Sequence, residues 1–213
     1  VLGVDEEGRQ EILGFYINPS ESASSWEFIL KDLYDRGIRE VLLFIADGLS
    51  GLSERIKKYF PLADFQSCTV HAMRNVITRV RASDKEEVGK DLRNIFNAID
   101  RKQAESMLDE FTVKWKDKYP SAVTNLNRNR DYLFTYYNYP ESIRKSIRST
   151  NIIERMNKEF RRRIKIIDSL PTEESARKII YLRVIELNNK MRAMHGFREC
   201  KDEIEDLFRS RYP

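Results

Sequence analysis

The stretch Val41-Leu42-Leu43-Phe44-Ile45-Ala46-Asp47-Gly48 decides how this chain is read. Its first six residues are wholly apolar and rich in branched side chains, the pattern of a short strand buried on both faces inside a sheet. Asp47 and Gly48 then stand at the strand's carboxyl end, where open α/β sheets gather ligands and metal ions. The alternative for Asp47 is a turn or N-cap aspartate that opens the next helix.

Outward from this strand, strand and helix signals alternate. Upstream, residues 11–17 (Glu-Ile-Leu-Gly-Phe-Tyr-Ile) read as a strand behind the turn Asp5-Glu6-Glu7-Gly8. That makes residues 1–4 the end of its hairpin partner. Several serines between 20 and 25 are N-cap candidates for a helix carrying Trp26, Ile29, Leu30 and Leu33 on one face, which Gly37 ends. Downstream, a short helix over 52–59 and a strand over 64–67 lead into a long helix from Thr69. Residues 84–140 then read as helices only, with Val88, Leu92, Ile95 and Phe96 sharing one face, as do Met107, Leu108, Phe111 and Trp115. Pro120 and Pro140 punctuate this block. A helical block after an α/β start reads as an insertion or subdomain. The last third is also helical: a helix over 151–165, another opened by Pro171-Thr172-Glu173, and a charged one over 201–209.

The composition suits a folded domain: 41% of the 213 residues are hydrophobic and 34% charged. No apolar run is long enough to span a bilayer, so no membrane association is expected. Two cysteines, Cys68 and Cys200, cannot build a disulfide framework, and an intracellular, reducing setting fits. The chain has no initiator Met or signal-like start and reads as a fragment. Net charge is only +4, but it is unevenly distributed. Between 141 and 165, nine basic residues face three acidic ones, a local excess of six that is larger than the chain's own. Such clustering marks either a phosphate-facing surface or a solvated basic helix.

Three places carry chemistry. Asp47 is the first. Glu154, in Ser149-Thr150-Asn151-Ile152-Ile153-Glu154-Arg155, is the second. With Asn151 as N-cap, Glu154 falls at N3 and closes a capping-box-like arrangement. Against that, Asn157, Lys158, Arg161 and Lys165 extend the Glu154 face at helical spacing, and a carboxylate on a basic face suits metal-assisted phosphoryl transfer. The third is Cys68-x-x-His71, at a strand-to-helix junction. A structural zinc site takes four protein ligands, and only the distant His195 and Cys200 remain to complete one. The preferred reading buries Cys68 and turns His71 toward the site, to hydrogen-bond a carboxylate or a phosphate. Phosphate-cradling glycine loops and a G-x-S-x-G nucleophile elbow are absent.

Taken in order, Ala46-Asp47-Gly48, Cys68-x-x-His71, Lys114-Trp115 with Lys118-Tyr119-Pro120, Tyr139-Pro140 with Ile143-Arg144, and Ser149-Thr150-Asn151-Ile152-Ile153-Glu154-Arg155-Met156-Asn157 resemble Mutator-type transposases of bacterial and archaeal insertion sequences. The resemblance covers the chain to about Met194. It implies a ribonuclease H-like mixed α/β (α+β) sheet, an Asp-Asp-Glu carboxylate triad and an all-helical insertion before the final Glu. On that basis residues 1–83 form the α/β portion, 84–148 the insertion and 149–213 the closing helices. Asp47 matches the second Asp, Glu154 the final Glu, and Cys68 and His71 a C-x-x-H signature. The family's first Asp lies on a strand expected upstream of Val1, because Asp5 sits in the hairpin turn and does not replace it. A DNA-binding region is also expected upstream, and the fragment alone is expected to be inactive.

The implied activity is metal-dependent cleavage and transfer of DNA strands, with two Mg²⁺ or Mn²⁺ ions. Asp47 and Glu154 are the expected metal ligands, and His71 assists beside them or touches DNA. Arg155, Lys158, Arg161, Arg162 and Lys165 are expected to hold the backbone of double-stranded DNA, at transposon ends and target. Asn151 and Asn157 complete the motif around Glu154. Partner copies in a homo-oligomer and a cytoplasmic, nucleoid-associated location are further expectations. Two alternatives stay open: a non-catalytic nucleic-acid-binding remnant, and another ribonuclease H-like nuclease.

Overall fold

A computed structural model describes residues 1–16, 23–48, 51–166 and 173–213, and side chains at 1–16, 25–48, 51–162 and 174–213. The chain is mixed α/β and mostly helical, and it divides into two compact units, Val1–Pro19 with Thr150–Pro213 and Ser20–Ser149.

In the first unit, strands β1 (Leu2–Val4) and β2 (Gln10–Ile12) form an antiparallel hairpin in which Gly3 faces Glu11. Its turn follows from Asp5, whose carboxylate accepts the N–H groups of Glu7 at 2.9 Å and Arg9 at 2.8 Å, while Gly8 takes the left-handed conformation at φ 75°. Gly8 also leaves no room for a side chain, since a Cβ there would fall 2.5 Å from the Phe197 ring. Strand β2 is shorter than the 11–17 expected. Pairing still continues past it, with Leu13 N–H donating to Val1 O at 3.0 Å and the Val1 amino group donating to Gly14 O at 2.7 Å. On the other side of β2, Asn188 occupies the hydrogen-bonding positions. Its Oδ1 accepts the Ile12 N–H at 2.9 Å and its Nδ2 donates to Ile12 O at 3.4 Å. Residue 17 lies outside the described residues.

Helices α9 (Asn151–Ile166) and α10 (Glu173–Asn188) cover this hairpin, and α11 (Lys201–Arg211) closes the unit. Ile12, Ile180 and Val184 are buried together, with Leu2, Phe15, Met156, Phe160, Leu187 and Met191 packed around them. Residues Pro171 and Thr172, expected to open α10, lie outside the described residues.

In the second unit, β3 (Leu43–Ala46) and β4 (Asp64–Ser67) run parallel, with Leu43 beside Asp64 and Ala46 beside Ser67. Helix α2 (Leu52–Tyr59) makes the crossover, and α1 (Ala23–Asp35) packs against it. The sequence pattern of a strand buried on both faces is corrected here. Leu43, Phe44, Ile45 and Ala46 are all only half-buried, because among the described residues β4 is the one strand paired with β3.

Helices α3 (Thr69–Ile77), α4 (Lys85–Phe96), α5 (Arg101–Trp115), α6 (Pro120–Arg128), α7 (Arg130–Leu133) and α8 (Glu141–Ile147) complete the unit. Asp100 caps α5 by accepting the Gln103 N–H at 2.8 Å, and Pro120 opens α6 where its missing N–H costs nothing. Phe60, Leu92, Ile95, Leu108, Leu133, Phe134 and Tyr136 form a fully buried core. Gln66 of β4 is enclosed in it. Its amide donates to Ser67 O at 2.6 Å and Leu133 O at 3.1 Å and accepts the Tyr136 N–H at 2.7 Å, tying the strand to the helical block.

Candidate active site

The parallel register brings the ends of β3 and β4 out side by side. Ala46 lies beside Ser67, and Cys68 N–H donates to Ala46 O at 2.8 Å, so Asp47 and Cys68 leave the sheet at the same edge. Cys68 is the N-cap residue of α3 (φ −59°, ψ 115°), which places His71 in the first helical turn. There the imidazole Nδ1 lies 2.8 Å from Asp47 Oδ1. The start of α3 is pinned by Thr69, whose N–H and hydroxyl both donate to Arg148 O at 3.0 Å. Space at the turn is tight: a Cβ on Gly48 would sit 2.9 Å from Ser67 Oγ.

Asp47, Cys68 and His71 thus form one cluster, with a donor atom from each within 4.8 Å of the others. Among the described residues it is the one such group able to hold a metal ion. Cys68 is fully buried, while the side chains of Asp47 and His71 are 47% and 26% exposed. The cluster is therefore closed behind the thiol and open in front of the carboxylate. Sequence reading turned His71 toward a carboxylate or a phosphate; the geometry supplies Asp47 as the carboxylate. It did not find the Thr69 anchor or the Gln66 tie, since neither residue type carries a spacing signal.

Glu154 lies in the other unit, on α9. The first backbone bond of that helix runs from Glu154 N–H to Thr150 O at 3.0 Å, so Thr150 is the cap and Glu154 falls at N4. The capping-box reading, which required Asn151 as cap and Glu154 at N3, is corrected by this one-residue shift. Glu154 is half-buried beside a basic face on which Asn151, Arg155, Asn157, Lys158, Arg161 and Arg162 are exposed. Met156 and Phe160 point into the core and fix which face is outward. Glu159 approaches Arg183 at 3.5 Å and Arg162 at 4.0 Å. The side chain of Lys165 lies outside the described residues. His195 and Cys200, the distant candidates for a fourfold zinc set, belong to this same unit. No helix among the described residues is long and apolar enough to cross a membrane.

A family model described as transposase, Mutator family, matches residues 1–193. The chain is 35% identical over 209 residues to a transposase for insertion sequence element IS905 from Lactococcus lactis, a match covering 97% of this chain and 53% of the relative. It is 32% identical over 216 residues to the ISRM3 transposase of Rhizobium meliloti, covering 99% and 53%. With the transposase for IS256 in transposon Tn4001 of Staphylococcus aureus it shares 31% over 191 residues, covering 89% and 49%. The chain thus spans about half the length of the curated relatives it matches. A family match over nine-tenths of its residues, together with relatives above 30% identity across almost its full length, shows that the chain belongs to the Mutator family of transposases.

Proposed function

We propose that this chain carries two of the carboxylates with which a transposase cuts and joins DNA strands, Asp47 and Glu154, on a ribonuclease H-like scaffold. The observation that carries the reading is the half-exposed Asp47 carboxylate at the common edge of β3 and β4, held by His71 at 2.8 Å. The divisions 1–83, 84–148 and 149–213, a first Asp upstream, action as a homo-oligomer on double-stranded DNA and a cytoplasmic, nucleoid-associated location belong to the same proposal.

The residues fit a hydrated Mg²⁺ (or Mn²⁺) through oxygen alone. Such an ion takes one or two carboxylates and keeps several waters, and Asp47 is open enough to meet one. Cys68 and His71 are not ligands of its kind. When bound, the divalent ion polarises the phosphodiester and favours a deprotonated nucleophile. His71 restricts the rotation of Asp47 and keeps one oxygen engaged. Glu154 presents its carboxylate beside Arg155, Lys158 and Arg161, whose charges hold phosphates in register without reading bases.

The test is strand cleavage by a protein of the relatives' full length on DNA carrying its own element's ends. Asp47→Asn and Glu154→Gln are each expected to lower Mg²⁺-dependent cleavage by roughly 10³-fold or more while DNA binding persists. Cleavage that survives either change removes that residue from the chemistry. Salt-dependent binding with no cleavage in the parent protein favours a binding remnant instead.

A further inference from the structure

Cys68 is the reactive side chain at this edge that strand cleavage leaves without a task. It is fully buried, yet its sulfur lies within 4.8 Å of both an imidazole nitrogen and a carboxylate oxygen. We propose that Asp47, Cys68 and His71 form a binding site for one borderline-soft divalent ion of the zinc class, with the fourth position open to water.

The donor set selects the ion. A sulfur, a nitrogen and an oxygen suit Zn²⁺ or Co²⁺ and repel the choice of Mg²⁺, which demands oxygen. Bond lengths of roughly 2.0–2.3 Å in a tetrahedral site put neighbouring donors about 3.3–3.6 Å apart. His71 Nδ1 and Asp47 Oδ1 stand 2.8 Å apart, and donor atoms of all three residues lie within 4.8 Å of one another, so small side-chain adjustments reach that spacing. The backbone behind them is already fixed, by the Ala46–Ser67 register, the Cys68 N–H bond to Ala46 O and the two Thr69 bonds to Arg148 O. On coordination the Cys68 thiol releases its proton to solvent, the His71 Nδ1 proton that bonds Asp47 is exchanged through solvent to Nε2, and the freed Nδ1 and the Asp47 carboxylate oxygen each bond the metal. All three ligands lie in the unit Ser20–Ser149, so the site needs neither His195 nor Cys200. An ion held there also takes Asp47 away from Mg²⁺. That consequence rests on the strand-cleavage reading, whereas the site itself does not.

The experiment is titration of the whole chain with Co²⁺, followed by the near-ultraviolet charge-transfer band of a thiolate–cobalt bond. One equivalent is expected to produce the band, excess Mg²⁺ to leave it and Zn²⁺ to abolish it. Cys68→Ser is expected to lose the band, and Asp47→Asn and His71→Gln to weaken binding by roughly 100-fold. Cys200→Ser is expected to keep it. Tryptophan fluorescence and far-ultraviolet circular dichroism check each variant's fold. If Cys68→Ser does not fold, the other two ligand variants decide. No band in the folded chain, a band surviving in folded Cys68→Ser, full-strength binding in both other ligand variants, or a band lost with Cys200→Ser each overturns the site. Because the readout is metal binding, its failure leaves the cleavage assay untouched, and failure of cleavage leaves the band.

Discussion

Replacing Gln66 by Leu tests how the edge that presents Asp47 and Cys68 is held in place. The substitution keeps the side-chain volume nearly unchanged but removes the acceptor of the Tyr136 N–H and the donor to Ser67 O and Leu133 O. Gln66 is completely buried, so water does not replace these partners. An orphaned buried backbone group costs about 1–3 kcal/mol, and the added apolar surface returns part of it. The net loss is expected at about 2–4 kcal/mol. Gln66→Glu discriminates further. Its carboxylate still accepts the Tyr136 N–H but confronts two carbonyl oxygens without a proton. Burial raises such a carboxyl's folded pKa, so the variant is expected to be weakest at neutral pH and to recover as falling pH protonates it into a donor. The assay is urea unfolding followed by tryptophan fluorescence. Both tryptophans, Trp26 and Trp115, lie in the unit that contains Gln66, so the signal reports that unit alone. A loss below about 1 kcal/mol for Gln66→Leu at unchanged m would refute the idea that this amide is what fastens β4 to the helical block.

Three further outcomes are expected. Asn188→Ala removes both side-chain bonds to Ile12, and amide exchange at Ile12 is expected to speed up by roughly 10-fold, about 1.4 kcal/mol of local stability; unchanged exchange would show that the amide is not the edge partner of β2. Hydrogen bonds from Lys118 and then Tyr119 hold Asp84 down at about 2. A depressed folded pKa gives stability that is present above about pH 4 and lost as pH falls toward 2, so the advantage of the parent over Asp84→Asn in thermal unfolding is expected to shrink across that window. An advantage that stays constant from pH 5 to 2 would contradict the pairing. Changing Arg155, Lys158 and Arg161 together to Ala is expected to flatten the slope of log affinity against log salt for DNA by up to about 3, and an unchanged slope would move the DNA to another surface.

Much of the fold was legible in the chain because local signals and packing agree. Helix α2, strand β4 and the start of α3 follow directly from the apolar periodicity and turn residues around 52–69. What the sequence misjudged depends on neighbours it does not name. Residues 41–46 read as doubly buried, yet among the described residues β3 has strand pairing on one side and stays half-buried. Helix α10 spreads its apolar residues, Ile179 to Leu182 and Val184, Ile185 and Leu187, around its axis among charged ones, so periodicity could not say that Ile180 and Val184 turn inward while Tyr181, Leu182 and Ile185 stay exposed. The register of α9 was misplaced by one residue, enough to exchange a capping glutamate for one beyond the cap. At the site, Asp47 and the C-x-x-H pair were each visible, and His71 was expected to turn toward a carboxylate or a phosphate, but which group it meets was not legible. It is the parallel register of β3 and β4, a long-range property, that brings the carboxylate to the imidazole.

The two-carboxylate centre is tested by a crystal structure of the relatives'-length protein grown with Mn²⁺ and DNA ends, read by the metal's anomalous signal. Manganese is expected on carboxylate oxygens of both Asp47 and Glu154, which must then lie within roughly 10 Å of each other to serve a shared two-metal centre. Manganese absent from both carboxylates, or Asp47 and Glu154 on separate surfaces with DNA bound, would contradict it.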